Sequence, residues 1–192
     1  MTGIALRGVR KTYGEQVVLE GLDLDLPDGS VTALMGPNGS GKTTIGRLVL
    51  GLEHPDAGTV TGLDGCRVAA TFQEDRLCEQ LTAEGNVRLV LDRAHAADAV
   101  ATLRAAGLDD DALAKPVRDL SGGQRRRVAI VRALVAPADV VVLDEPFKGL
   151  DAAARERLLG LVRERCAGRT VLLVTHDPAE AAALDATVIT LA

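Results

Sequence analysis

The chain has 192 residues, of which 47% are hydrophobic, and it carries a formal net charge of −5. One domain with a hydrophobic core fits this length and composition, and the negative charge argues against nucleic-acid binding by bulk electrostatics. No uninterrupted apolar run approaches the roughly 20 residues that span a bilayer, and the first residues lack the apolar stretch of a signal peptide. We therefore expect a cytoplasmic protein, which would need a partner to work at a membrane.

The first part of the chain predicts strands followed by a helix. Apolar and polar residues alternate within residues 4–26, which is typical of half-buried antiparallel strands. The apolar run 31–35 predicts a buried strand, and residues 43–50 predict a helix that Gly51 caps. Residues 67–72 predict a further strand that ends at Gln73.

The second part combines a helical segment with buried strands. Residues 77–119 are rich in Ala, Leu, Arg and Asp and predict a small helical subdomain inserted into the sheet domain. Residues 122–136 predict a helix, the apolar runs 140–143 and 170–175 predict central parallel strands, and 188–191 predict the last strand. The alternation of strands and helices indicates an α/β fold in a single domain, 1–192.

A glycine-rich loop follows the predicted strand 31–35 and fits the pattern G-x-x-x-x-G-K-[ST] in full. Its residues are Gly36, Pro37, Asn38, Gly39, Ser40, Gly41, Lys42 and Thr43. The glycines allow a tight turn whose N–H groups face phosphates, and the following helix N-terminus adds partial positive charge. Lys42 is expected to neutralise the β- and γ-phosphates, and the Thr43 hydroxyl is expected to hold Mg²⁺.

Two carboxylates end the apolar strand 140–143. The ligand edge of a parallel sheet lies at the carboxyl ends of its strands, where Asp144 and Glu145 are expected. Asp144 is a candidate Mg²⁺ ligand, and Glu145 is a candidate base for the attacking water.

A second glycine-rich turn precedes the helix predicted at 122–136. Its residues are Leu120, Ser121, Gly122, Gly123 and Gln124. Backbone N–H groups and the Ser121 hydroxyl at a helix N-terminus suit a γ-phosphate. With this signature loop beside the phosphate loop and the paired carboxylates, the chain resembles ATP-binding-cassette (ABC) ATPases over nearly its whole length.

The resemblance implies further site residues. Gln73 matches the family's glutamine that contacts Mg²⁺, His176 matches the histidine that contacts the γ-phosphate, and Tyr13 matches the aromatic residue that stacks on adenine. Thr44 continues the phosphate loop, and Asp151 belongs to the D-loop. The cofactors implied are ATP and Mg²⁺.

One position departs from the family pattern. The family usually has Ser or Thr two residues before Leu150, and this chain has Lys148 there.

The fold implied is the P-loop NTPase fold of the ABC type, with an N-terminal antiparallel β subdomain. Residues 1–76 and 120–192 would form the catalytic core, and residues from about 77 to 119 would form the helical subdomain. In the family, two cassettes dock head to tail, so that each signature loop covers the ATP of the other cassette. Whether the second cassette is identical stays open.

Segments 72–77 and 81–87 are similar to importer ATPases of the nitrate, sulfonate and taurine type, whereas 78–80 lacks the apolar or aromatic stretch that the family often has there. The resemblance implies integral membrane permease subunits as partners on the cytoplasmic face of the cell membrane, with a solute-binding protein as a further candidate and no nucleic acid. Because the chain ends soon after His176, we expect no C-terminal regulatory domain.

Two alternative functions fit the sequence less well. A non-transport ABC ATPase usually carries two cassettes or a long coiled coil, and this chain has one set of motifs. A regulatory cassette that only binds ATP is expected to lack Glu145, His176 or an intact signature loop, and all three are present.

Overall fold

The computed structural model describes residues 3–91 and 98–191, so residues 92–97 of the predicted helical segment lie outside the described residues. The chain divides into two compact units. The first unit joins the residues before Thr71 with Ala138–Asp144 and with the residues from Ala167 onward. The second unit joins Thr71–Pro137 with Glu145–Cys166.

A three-stranded antiparallel sheet begins the first unit. Strand β1 (Ile4–Tyr13) lies between β2 (Gln16–Leu26) and β4 (Ala57–Thr61). The alternation in residues 4–26 correctly predicted β1 and β2, whose buried residues pack into the core of this unit. Strand β4 was not predicted, because it is short, contains Gly58 and is almost entirely exposed, so it has no buried face to give it a pattern.

A five-stranded sheet completes the first unit, in the order β5-β6-β7-β3-β8. Its strands are β3 (Val31–Met35), β5 (Val68–Thr71), β6 (Val140–Asp144), β7 (Thr170–Val174) and β8 (Thr187–Thr190). Strand β3 pairs in parallel with β7 and β8, and β6 pairs in parallel with β7. All residues of β6 and β7 are buried, as the continuous apolar runs predict for central strands. The α/β fold is therefore confirmed.

The carboxyl ends of these parallel strands position the motif residues of the first unit. The phosphate loop connects β3 to helix α1 (Lys42–Val49), and Asp144 is the last residue of β6. His176 follows β7 and precedes the short helix α7 (Pro178–Ala183). Such an edge is where open α/β sheets bind their ligands.

The second unit is helical. Its elements are α2 (Ala83–Arg88), α3 (Asp98–Ala105), α4 (Asp110–Ala114), a single 3-10 turn (Val117–Asp119), α5 (Gly122–Val135) and α6 (Ala152–Arg165). Helix α5 packs against α2, α3 and α6. Residues 122–136 were correctly predicted as helical, whereas α6 and α7 were not assigned from the sequence.

Within residues 3–91 and 98–191, no helix combines the length and the apolar character that crossing a bilayer requires.

Candidate functional site

The phosphate loop holds its lysine inside a ring of loop oxygens. Lys42 is only 8% exposed. Its Nζ donates hydrogen bonds to the carbonyl oxygens of Gly36 at 2.9 Å and Pro37 at 2.7 Å, and lies 3.5 Å from Ser40 Oγ. A buried ammonium group needs such partners. The loop therefore presents one fixed positive charge at the N-terminus of α1.

Backbone angles and packing require glycine at two positions of the phosphate loop. Gly36 has φ 145° and Gly41 has φ 89°, both in the region that favours glycine. A Cβ atom on Gly36 would lie 2.7 Å from the carbonyl oxygen of Leu191, and one on Gly41 would lie 2.5 Å from Leu19 Cδ2. Both backbone angles and packing thus fix the shape of the loop.

Thr43 and Asp144 are brought together across the sheet edge. Thr43 Oγ1 donates a hydrogen bond to Asp144 Oδ2 at 3.1 Å, although the two residues are 101 positions apart in the chain. Asp144 is buried and Thr43 is partly buried. A hydroxyl and a carboxylate in this arrangement are oxygen donors of the kind that a small divalent cation prefers.

Tyr13 lies at the end of β1 in a segment that side chains anchor. Thr12 donates to Asp56 Oδ2 from both its hydroxyl and its backbone N–H, each at 2.7 Å. These hydrogen bonds, together with one from Lys11, lower the pKa of Asp56 to about 2. The Tyr13 hydroxyl donates to Glu53, and the residue as a whole is 41% exposed. The ring is therefore held in place while part of it faces solvent.

His176 is exposed, whereas the preceding Thr175 is buried and hydrogen-bonded. Thr175 Oγ1 donates to Glu180 Oε2 at 2.5 Å and accepts from the Asp177 backbone N–H at 3.1 Å. Glu180 is 7% exposed. Its supporting role was missed, because a glutamate in an alanine-rich helix shows no pattern that separates a buried side chain from an exposed one.

Glu145 is the first residue of the second segment of the second unit, and it has an unusual backbone conformation. Its φ is 45°, a left-handed value that is uncommon for a residue with a side chain. Its carboxylate Oε2 accepts a hydrogen bond from Lys148 Nζ at 2.7 Å. Lys148, the residue that departs from the family pattern, therefore forms an ion pair with the predicted base.

The signature loop ends in a capping box at the start of α5. The Ser121 hydroxyl accepts from the Gln124 backbone N–H at 3.2 Å, and the Gln124 side chain accepts from the Ser121 backbone N–H at 2.8 Å. Ser121 and Gly122 are exposed. The loop therefore presents exposed N–H groups at a helix N-terminus, with its shape fixed by its own side chains.

Asp151 and Gln73 occupy two other loops of the second unit. Asp151 caps α6 by accepting from the Ala154 backbone N–H at 2.8 Å, and this hydrogen bond lowers the pKa of Asp151. Gln73 is exposed, and its carbonyl oxygen accepts from Arg126. No sequence pattern indicates this contact, because the two residues are 53 positions apart.

The sheet edge, the phosphate loop and the Thr43–Asp144 pair define the class of this protein as a P-loop nucleotide-binding protein. The family profile of ABC transporters matches residues 19–148. The chain belongs to that family, and it is an ATP-binding cassette that hydrolyses ATP.

Two relatives are similar over most of their length. The chain is 43% identical over 187 residues to the aliphatic sulfonates import ATP-binding protein SsuB 3 of Paraburkholderia xenovorans, which covers 94% of this chain and 73% of that relative. It is 44% identical over 190 residues to the aliphatic sulfonates import ATP-binding protein SsuB of Corynebacterium glutamicum, which covers 93% of this chain and 76% of the relative.

Solved structures agree with this family. A dimeric structure of MJ0796, a bacterial ABC transporter cassette, superposes with a TM-score of 0.86 at 29% identity and covers 98% of this chain and 94% of that chain. A dimeric post-hydrolysis state of the same cassette with ADP and Pi gives a TM-score of 0.84.

Proposed function

We propose that this protein powers the import of aliphatic sulfonates, or of similar small oxyanions of the nitrate and taurine kind, through separate permease subunits at the cytoplasmic face of the membrane. The observation that carries the proposal is the identity above 40%, over more than nine tenths of the chain, to relatives named for aliphatic sulfonate import. A solute-binding protein is the partner that would deliver the substrate, and nucleic acid has no part.

ATP is held by the residues of the first unit in this proposal. Lys42 exchanges its bonds to the Gly36 and Pro37 carbonyls for bonds to the β- and γ-phosphates, which keeps the buried charge satisfied. The backbone N–H groups from Asn38 to Thr44 and the N-terminus of α1 hold the remaining phosphate oxygens. Tyr13 stacks on adenine with the exposed part of its ring.

Mg²⁺ fits the donors that the chain offers. This cation prefers hard oxygen ligands. The proposed ligands are Thr43 Oγ1, the Asp144 carboxylate and the Gln73 amide oxygen. When bound, the cation would add positive charge next to the β- and γ-phosphate oxygens. The hydrogen bond from Thr43 to Asp144 holds two of these ligands together in the structure.

Hydrolysis is assigned to Glu145 and His176. Glu145 orients and deprotonates the attacking water, after its bond to Lys148 is exchanged for that water. His176 donates to the γ-phosphate, and the buried pair of Thr175 and Glu180 fixes the backbone from which His176 projects. In-line attack then needs positioning more than covalent chemistry.

A second cassette completes each site in this proposal. The signature loop from Leu120 to Gln124, in which Ser121 and Gly122 are exposed, supplies N–H groups and a hydroxyl to the γ-phosphate of a partner's ATP, and Asp151 lies at the same contact. The dimeric structures of a related cassette support this arrangement. Residues 1–76 and 120–192 act as the catalytic core, and residues from about 77 to 119 pass its movement to the permease.

A growth experiment tests the proposal. A strain that lacks the native gene is supplied with the wild-type gene or with Glu145→Gln, and grows on an aliphatic sulfonate or on sulfate as the only sulfur source. We expect growth on the sulfonate with the wild-type gene alone and growth on sulfate with both. Purified Glu145→Gln should bind ATP normally while its turnover falls about 100-fold or more. Equal growth of the deletion strain on the sulfonate would contradict the substrate, and wild-type turnover would contradict the role of Glu145.

A further inference from the structure

Two arginines of α5 hold the backbone of the loop that contains Gln73. Arg126 donates from Nη1 to the Phe72 carbonyl oxygen at 2.7 Å and from Nη2 to the Gln73 carbonyl oxygen at 2.5 Å. Arg132 donates to the carbonyl oxygens of Asp75 at 3.2 Å and Arg76 at 2.9 Å. We call Arg126 and Arg132 the arginine clamp. Four of the five backbone carbonyl groups from residue 72 to residue 76 thus accept hydrogen bonds from arginine side chains of α5.

The clamp is partly shielded from water and reinforced by charge. The Arg126 side chain is 11% exposed and forms an ion pair with Asp75, whose side chain is 20% exposed, at 3.2 Å. Hydrogen bonds from a charged guanidinium that is partly shielded from water are stronger than hydrogen bonds between neutral groups. The planar fork of arginine suits two neighbouring acceptors, which a lysine cannot contact together.

The loop needs such support because its backbone is irregular. Arg76 has φ 46°, and its guanidinium stacks over the Phe72 ring at 4.1 Å from the ring centroid. The other arginines near the start of α5 point elsewhere, since Arg125 donates to the Leu120 carbonyl oxygen and Arg127 to that of Gly107. Support for the loop is therefore specific to the arginine clamp and is not a general property of a basic helix.

We propose that Arg126 and Arg132 are positioning residues for Gln73: through the loop backbone they hold the Gln73 side chain in the place from which it acts as a ligand of the cation. The inference rests on the role given to Gln73 in the proposed function. Helix α5 also begins at the signature loop. One helix consequently begins at the loop proposed to contact a partner's nucleotide and also holds the loop that contains Gln73.

The test compares nucleotide affinity with and without the cation. ATP binding is measured in excess Mg²⁺ and in EDTA for the wild type, Arg126→Gln, Arg132→Gln and Gln73→Ala. Supporting contacts of metal ligands typically change metal affinity about 10-fold or more, so the gain in affinity from Mg²⁺ should fall about 10-fold in each variant. Affinity in EDTA should stay at the wild-type value. Arg104→Gln, which removes an exposed arginine of the same unit paired with Asp110, is the matched control and should leave both affinities unchanged.

Amide hydrogen exchange gives a readout that does not depend on the cation. Amides of residues 72–77 should exchange faster in Arg126→Gln and Arg132→Gln, with the remainder of α5 and the melting temperature near the wild-type values. If either variant fails to fold, Asp75→Asn replaces it, because this change weakens the Arg126 contact and leaves both arginines in place. Unchanged exchange in the loop together with an unchanged Mg²⁺ gain would overturn the inference.

A double variant separates the inference from the proposed function. If the clamp acts through Gln73, Gln73→Ala combined with Arg126→Gln should lose no more of the Mg²⁺ gain than Gln73→Ala alone. Additive losses would overturn the positioning role, even with Gln73 intact as a ligand. A normal Mg²⁺ gain in Gln73→Ala would instead overturn the role of Gln73 in the proposed function, and the inference with it.

Discussion

The chain contains two glycine-rich turns at helix N-termini, the phosphate loop and the signature loop. The packing of the chain around their glycines differs between the two. In the phosphate loop, a Cβ atom on Gly36 or Gly41 would clash with the chain itself, and both residues have positive φ. In the signature loop, a Cβ atom on Gly122 would meet none of the described residues within 4 Å, and one on Gly123 would lie 3.7 Å from Leu150, an ordinary contact. The fold therefore demands the first set of glycines and not the second.

This difference supports the proposal that the signature loop is completed from outside. Glycine in place of alanine costs a helix up to about 1 kcal/mol, so two adjacent glycines at the start of α5 are not explained by the stability of this chain. A phosphate that approaches the N–H groups closely, as the proposed function requires, would explain them. The phosphate loop also contains its own cation, Lys42, whereas the side chains of Ser121 and Gln124 are occupied in the capping box.

The largest expected effect breaks the phosphate loop. In Gly36→Ala, the new methyl group would overlap the Leu191 backbone at a φ of 145°, so the loop must move. We expect ATP affinity to fall by about 100-fold or more, which corresponds to roughly 3 kcal/mol, the upper range for one strained residue. Calorimetric titration with ATP measures the loss.

Gly39→Ala is the matched control for that variant, because Gly39 has φ 88° but no described atom lies within 4 Å of a Cβ at this position. It should weaken binding less than Gly36→Ala. Equal affinities of Gly36→Ala and the wild type would show that the loop does not depend on its own packing.

A smaller effect is expected in the signature loop. Gly123→Asp places a carboxylate in the first turn of α5, where the helix dipole favours negative charge, so the melting temperature should not fall. The same carboxylate would repel a γ-phosphate, and turnover should drop about 100-fold while ATP affinity stays unchanged. Gly123→Ala, which adds volume without charge, should lose less turnover. Full turnover in Gly123→Asp would mean that no phosphate contacts this loop.

The smallest expected effect concerns the segment beside Tyr13. The pKa of Asp56 is lowered to about 2 from its ordinary 3.8, first by the Thr12 hydroxyl. A carboxylate whose pKa is lower in the folded state stabilises the fold above pH 3.8, and this contribution is lost as the pH falls towards 2. Asp56→Asn should therefore melt at a slightly lower temperature than the wild type at pH 7, and the difference should shrink between pH 4 and pH 2. A difference that persists at pH 2 would show that charge on Asp56 is not the cause.

The parts of the fold that could be predicted from the sequence have a local pattern. Strands β6 and β7 are continuous apolar runs, β1 and β2 alternate, and the residues from Gly36 to Thr43 follow a spacing that phosphate binding requires. Strand β4 could not be predicted, since its residues are exposed and follow no period.

The contacts that could not be predicted join distant residues. Arg126 and Arg132 reach loop carbonyl groups more than 50 positions away, and any sequence in the loop offers the same carbonyl oxygens. The ion pair between Glu145 and Lys148 is local, but it forms where the backbone of Glu145 is left-handed, which the sequence does not reveal. Residue types that the chemistry requires are visible in a sequence, whereas the side chains that hold them in place are not.

A mixing experiment tests most directly whether the signature loop serves a partner's nucleotide. Lys42→Ala removes the phosphate-loop cation, and Gly123→Asp blocks the signature loop, so each variant alone should be inactive as a dimer. In an equal mixture, half of the dimers contain one of each chain, and one of their two sites joins an intact phosphate loop to an intact signature loop. If each signature loop serves the partner's nucleotide, ATPase activity should return to about a quarter of the wild-type value. A mixture as inactive as its components would show that the signature loop does not serve the partner's nucleotide.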